Sequence, residues 1–83
     1  MAEQKLLKLT ITRVDGPIFD GEVISVSVPG LGGDMQLLAN HEPLITPLKS
    51  GEVKIRKADA SEETFSLKTG ILEVSYNHAT ILI

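Results

Sequence analysis

Apolar residues recur at every second position through most of this chain, and a helical three-to-four spacing is almost absent. Leu7, Leu9 and Ile11 alternate with Lys8, Thr10 and Thr12, then Val53 and Ile55 with Glu52, Lys54 and Arg56, and Phe65 and Leu67 follow in the same phase. A period of two puts one set of side chains on each face of an extended strand, so each run has a core face and a wet face. The one helix-like fragment, Glu3 to Leu9, runs directly into β-branched Ile11, Thr12 and Val14, and it reads as a strand.

Turn residues separate these runs. Asp15-Gly16-Pro17 breaks the first strand, and Ile18 to Gly21 reads as a short hinge. From Glu22 to Val28, Ile24, Val26 and Val28 are expected on one face and Ser25 and Ser27 on the other, until Pro29-Gly30 ends the run. Met35 to Leu38 is a brief strand, and Leu44, Ile45 and Leu48 are apolar enough to be drawn under the core. Lys57 to Glu63 is a polar hairpin loop. Thr69-Gly70 turns the chain into Ile71, Leu72 and Val74, and Asn77-His78 is a tight turn before Ala79 to Ile83. Many short strands divided by turns predict an all-β fold, a flattened sandwich or small barrel.

At 83 residues the chain makes one domain, residues 1–83. A domain of this size buries only roughly 60 to 65% of its unfolded surface, so a neighbour that adds buried area would matter to it. There is no cysteine, which excludes disulfides and thiolate metal sites. A formal charge of −3 with scattered Lys and Arg offers no basic stripe, so no nucleic-acid partner is expected. The first residues are too broken by Lys8 and Thr10 for a signal peptide, and no run approaches the roughly 18 apolar residues of a membrane span. A soluble chain without direct membrane insertion is the expectation.

The densest information lies between Gly30 and Gly51. A glycine-rich turn (Gly30, Gly32, Gly33) is followed by a polar knuckle, Asn40-His41-Glu42-Pro43, which marks a connection suited to touching a partner protein. His41 beside Glu42 suggests acid–base chemistry, yet adjacent residues of an extended segment point opposite ways. Gly30 to Asp34 has the look of a phosphate cradle but lacks the Lys-Ser/Thr pair and a following helix. It reads as a wide turn needing positive φ, whose exposed N–H groups, with Asp34 alongside, meet polar groups on a partner. His78 reads as a solvated turn histidine. No serine has His and acid partners at a catalytic spacing, so the chain reads as a non-enzyme with no cofactor or metal. Lys57-Ala58-Asp59, at a predicted hairpin tip, suggests a carrier lysine. Lipoyl and biotinyl domains show Asp-Lys-Ala or Met-Lys-Met instead, and a solvated charged hairpin is the plainer reading. A stand-alone β-sandwich binding module is the third possibility.

Several runs together resemble the N-terminal β-sandwich of the ε subunit of F-type ATP synthases, called δ in mitochondria. They are Phe19-Asp20-Gly21-Glu22-Val23, Gly33-Asp34, His41-Glu42-Pro43-Leu44-Ile45-Thr46, Gly51-Glu52-Val53-Lys54-Ile55, Gly70-Ile71-Leu72-Glu73-Val74 and Ala79-Thr80-Ile81-Leu82. The match holds in order from about Leu6 to the end. The resemblance implies about ten short strands in two sheets and a place in the central stalk. There the domain would link the γ subunit to the polar loops of the c-ring and support rotary coupling of proton flow to ATP synthesis. It also implies a peripheral location on the cytoplasmic face of a bacterial inner membrane, as part of F1. Carried over by position, Arg13, His41 and Glu42 would face γ, and Gly33 and Asp34 would face the c-ring. Ala39-Asn40 stands where the family often has Pro-Gly. Family members usually continue into a C-terminal helical hairpin that inhibits rotation and in some bacteria binds ATP. The expectation for these 83 residues is the linking role without that regulatory part.

Overall fold

Residues 5–83 are described by the structure, a computed structural model; Met1 to Gln4, and with them the start of the helix-like fragment, lie outside the described residues. The alternation is realised as strands β1 (Leu7–Arg13), β2 (Gly16–Gly30), β3 (Gly33–Leu38), β4 (Leu44–Leu48), β5 (Gly51–Lys57), β6 (Glu62–Leu67), β7 (Gly70–Ser75) and β8 (His78–Leu82). These eight strands form one hydrogen-bonded network in place of ten strands in two separate sheets. β2 serves both layers and so counts once where two separate sheets would count it twice.

β2 runs unbroken for 15 residues, so the expected break and hinge between Asp15 and Gly21 shrink to a two-residue turn, Val14-Asp15. Pro17 is tolerated because this half of β2 pairs with β1 alone, and an edge position asks for no second donor. Ile18 is the extra residue of a bulge, where the register steps from Ile11↔Phe19 to Thr12↔Pro17. A second bulge lies at Ile24, where the register with β5 steps from Val23↔Lys57 to Ser25↔Arg56. That extra residue reverses which side chains point inward. Val23, Val26 and Val28 are buried, whereas Ile24, expected beside Val26, is only half-buried.

The bulge at Ile24 is the corner of the sandwich, where one strand passes from one layer to the other. One layer holds the first half of β2 with β1, β8, β7 and β4; the other holds β3, the second half of β2, β5 and β6. Gly30 pairs with Leu48, so the path β2-β1-β8-β7-β4 returns to β2 and closes a flattened barrel. Between the layers lies a core of aliphatic side chains, with Leu7, Leu9, Ile11, Leu37, Ile55, Leu72 and Ile81 among the largest fully buried. Leu48 joins this core, but Ile45, expected there, is 72% exposed. Leu44 to Leu48 is itself a strand, and strand alternation sends Ile45 outward.

The β5–β6 hairpin closes through Ala60 N–H to the Lys57 carbonyl (2.9 Å) and Lys57 N–H to the Ser61 carbonyl (2.8 Å). Asp59 Oδ1 accepts from the Ser61 amide at 2.9 Å and from its hydroxyl, which holds the carboxyl below its ordinary pKa. Ala60 sits at φ 70°, a left-handed position that costs a residue with a Cβ about 1–2 kcal/mol. Ala60→Gly should therefore raise stability by about 0.5–1 kcal/mol after glycine's larger unfolded entropy is deducted. A chemical-denaturation midpoint that does not move would count against this.

Candidate functional site

The strand register sorts the sequence-flagged residues between two ends of a body 40 Å long. At one end are Arg13, the β2–β3 turn with Gly33 and Asp34, the Lys49-Ser50 turn and the Lys68-Thr69 turn. The rungs Thr12↔Leu82, Leu82↔Ile71, Leu48↔Gly70 and Leu48↔Gly30 bring these together. His41 and Glu42 lie at the other end with the Tyr76-Asn77 turn and the start of β1. Arg13 is thus not brought beside the knuckle.

The glycine turn is a tight two-residue connection, Leu31-Gly32, rather than a wide one. Gly30 and Gly33 face each other across it, and a Cβ on Gly30 would lie 2.8 Å from the Gly33 carbonyl oxygen. Gly33 adopts φ 133°, a conformation that side-chain-bearing residues rarely take. Asp34 follows on β3, exposed, in a polar recess with Ser27, Gln36, Glu52 and Lys54. A carboxylate on the first residue after the turn's glycines, Asp34, disfavours an anion at this hairpin.

Arg13 ends β1, exposed, at the rim of an open groove of about 570 Å³ that also takes in Glu52, Leu67, Lys68 and Ile83.

The knuckle is a turn in which His41 N–H donates to the Leu38 carbonyl at 3.2 Å. Its third residue, Asn40, has φ 63°, where type II turns require a positive value. Asparagine tolerates this region, so the Ala39-Asn40 pair can shape the chain as Pro-Gly would. His41 Nδ1 lies 2.8 Å from the Glu42 carbonyl oxygen. A carbonyl can only accept, so Nδ1 carries the hydrogen. The histidine is therefore engaged by its neighbour's backbone and not by its carboxylate, which removes the orienting acid that general-base catalysis would use.

His78, expected in a solvated turn, opens β8 instead. Its Nε2 lies 2.9 Å from Thr10 Oγ1, which also contacts Asp20 Oδ1 at 3.2 Å. The turn falls one residue earlier, on Tyr76 and Asn77, both at positive φ (51° and 58°). Lys57 is the last residue of β5, not the hairpin tip, and its Nζ is 2.7 Å from Glu63 Oε1. The hydrogen bond and charge of Glu63 raise its pKa. An amine held on a carboxylate within a strand is poorly presented to a modifying enzyme. Among the described residues no cluster of three or more His, Asp or Glu could hold a metal, and no helix is long and apolar enough to cross a membrane.

Alternation missed one surface. On the outer face of the β1-β8-β7-β4 layer, Pro47, Ile71 and Leu82 share a row through the pairs Pro47↔Ile71 and Ile71↔Leu82, with Ile45 two residues from Pro47. Ile45, Ile71 and Leu82 are 72%, 48% and 50% exposed. The opposite face, built around Ser27, Gln36, Glu52, Lys54 and Arg56, is mainly polar, with Leu38 as its one large exposed apolar side chain on β3. The signal was present in the doublets Leu44-Ile45, Ile71-Leu72 and Ile81-Leu82: neighbours in a strand face opposite ways, so one of each pair must look outward. The row lies across the Arg13 end; the next rung towards the knuckle, Ile45↔Glu73↔Thr80, continues the apolar surface at Ile45 and interrupts it with the exposed Glu73.

Residues 6–83 match the family described as ATP synthase, Delta/Epsilon chain, beta-sandwich domain. The ATP synthase epsilon chain of Chlorobium limicola is 42% identical over 98% of this chain and 92% of its own length. That of Latilactobacillus sakei is 38% identical over 96% of this chain but 57% of its own, and that of Bacillus subtilis 38% over 94% and 58%. The chain thus spans little more than half of several relatives that it matches. Among solved structures, a chain of the Euglena gracilis mitochondrial ATP synthase, determined as an OSCP/F1/c-ring assembly, superposes with a TM-score of 0.86 at 21% identity. The superposition covers 99% of this chain and 52% of that one, and it speaks to the fold alone. Sequence and fold agree, and the chain belongs to the β-sandwich family of ATP synthase delta and epsilon chains.

Proposed function

We propose that this domain is a non-catalytic rotor element of an F-type ATP synthase central stalk, gripped between the γ subunit and the polar loops of the c-ring. The observation that carries this reading is the outward apolar strip of Ile45, Ile71 and Leu82 on a chain of this family. A face of that kind, opposite a polar one, suits burial on one side only. γ covers this face, with Arg13 beside the apolar row and His41 and Glu42 at the far end beyond Glu73, so residues at opposite ends serve one partner. A lasting contact of this sort buries on the order of 1,000 Å² or more in total.

The domain does its work by stiffness. A barrel closed through β2 has its strands cross-linked by hydrogen bonds around a close-packed interior, so it deforms little under load. Torque on γ then reaches the ring as rotation of one body. In this reading the domain sits peripherally at the cytoplasmic face of the membrane, as a part of F1. Co-purification with γ as one complex is the expected result; a monomer indifferent to γ at micromolar concentration would overturn the reading.

The exposed carboxylate of Asp34, next to the glycine hairpin, is the proposed acceptor for basic or amide groups of the c loops. Asp34→Arg should loosen attachment to the ring, and added salt should weaken the wild-type contact in the same direction. The γ complex should stay intact. Unchanged retention of the ring in a pull-down would exclude Asp34 from the contact.

A further inference from the structure

Asn77 does more than form a turn. Tyr76 and Asn77 supply the two positive-φ residues that a two-residue hairpin turn of type I′ demands. That role needs only the backbone of Asn77, yet its side chain reaches two other segments. Oδ1 accepts from the Asn40 amide at 2.7 Å, and Nδ2 donates to the Leu6 carbonyl at 2.9 Å. The Asn77 carbonyl in turn accepts from the Lys8 amide at 3.2 Å. One residue thus connects the β7–β8 turn, the entry to β1 and the knuckle, segments 37 and 71 positions away in sequence.

The knuckle has little else to fix it. Between β3 and β4 its own hydrogen bonds are His41 N–H to the Leu38 carbonyl at 3.2 Å, longer than the bond to Asn77, and His41 Nδ1 to the Glu42 carbonyl at 2.8 Å, which ties only adjacent residues. Asn40 stands in the left-handed region, a conformation that persists when the surroundings determine it. Glu42 and Pro43 are exposed and lie outside any strand. Only a side chain with both a donor and an acceptor, short enough to remain in the turn, can make both contacts at once.

We propose that Asn77 is the positioning residue of the knuckle, setting the backbone that presents His41 and Glu42 and fastening it to the strand layer. The consequence for partner binding rests on the reading of the knuckle as a γ contact; the positioning itself does not.

Two variants of the full chain test this. Asn77→Gly keeps the positive φ and removes both side-chain bonds. Asn77→Asp keeps an acceptor for Asn40 but loses the donor to Leu6. In amide hydrogen exchange, Asn77→Gly should speed exchange at Asn40 by about tenfold or more while Ile11 and Ile81, in β1 and β8, keep their protection. Asn77→Asp should leave Asn40 slow at neutral pH. Calorimetry with γ should show affinity about tenfold weaker for Asn77→Gly. Unchanged exchange at Asn40 in Asn77→Gly would overturn the proposal. So would uniform acceleration through β1, β8 and Asn40 in both variants, which would make Asn77 a residue of overall stability. Faster exchange at Asn40 with wild-type affinity for γ would uphold the positioning and remove the knuckle from the γ contact.

Discussion

Leu9→Ala should lower the unfolding free energy by about 2–5 kcal/mol, the range for buried leucine truncations. For a chain of 83 residues the whole stability amounts to about 4–12 kcal/mol, so this one change removes a large part of it. The position explains the expected size. Leu9 is 0% exposed on β1, and its partners on the same rung are Gly21 on β2 and Ala79 on β8. Flanked by the two smallest residues, it fills volume that neither neighbour can supply. Strands hydrogen-bonded on both sides cannot move in to close the gap, and a cavity that stays open is the costly kind. Leu9→Met, which roughly conserves volume, should cost less than about 1.5 kcal/mol. Equal midpoints for Leu9→Ala and Leu9→Met in denaturant titrations would show that the core is not packed as described.

Ile71→Lys should weaken binding to γ by about 30-fold or more, the loss expected when the centre of an interface is disrupted. Ile71 is half-exposed on β7 between Pro47 and Leu82, so a charge there meets water in the isolated domain, whereas under the proposed function it would be pressed into the apolar centre of the γ contact. Stability of the domain alone should change by no more than about 0.5–1 kcal/mol. Lys54→Ala, on the polar face, is the matched control and should leave the affinity near wild type. The reverse pattern, with Lys54→Ala damaging and Ile71→Lys harmless, would move γ to the other face.

The period of two was readable wherever a strand stays in one layer. β1 and β5 follow it without interruption, and Leu7, Leu9, Ile11, Val53 and Ile55 are buried on the expected single face, whereas on β7 the doublet Ile71-Leu72 left the face open until the register assigned it. It failed on β2 for a physical reason: bulges at Ile18 and Ile24 each insert a residue, and each insertion reverses which side chains face inward. A pattern search sees the first as a hinge and misassigns Ile24 at the second. β4 escaped notice because Pro43 and Pro47 argue against a strand, although an edge with a single full-length neighbour accommodates Pro47.

The candidate site was legible in pieces. The knuckle and the glycine turn stood out as composition, and their family resemblance located them in order along the chain. Their placement at opposite ends needed the register. The apolar strip was concealed in plain doublets, since Ile45 beside Leu44 and Ile71 beside Leu72 look like additional core until the strand direction assigns one of each pair to the outside. Asn77 carried no signal at all beyond that of a turn residue. What it does depends on contacts with Leu6 and Asn40 that no local pattern encodes.

β8 lies parallel to β1 and antiparallel to β7, and among the described strands it alone joins them. During synthesis, β1 leaves the ribosome first and must wait with one flank unsatisfied until residues 78–82 have emerged. A nascent chain stalled before that point shows two bare strand flanks to its neighbours, the hazard that chaperones exist to cover. Within this domain the pairing of residues 8–12 with 78–82 is among the last that synthesis permits, and contacts so distant along a chain are the kind that slow folding.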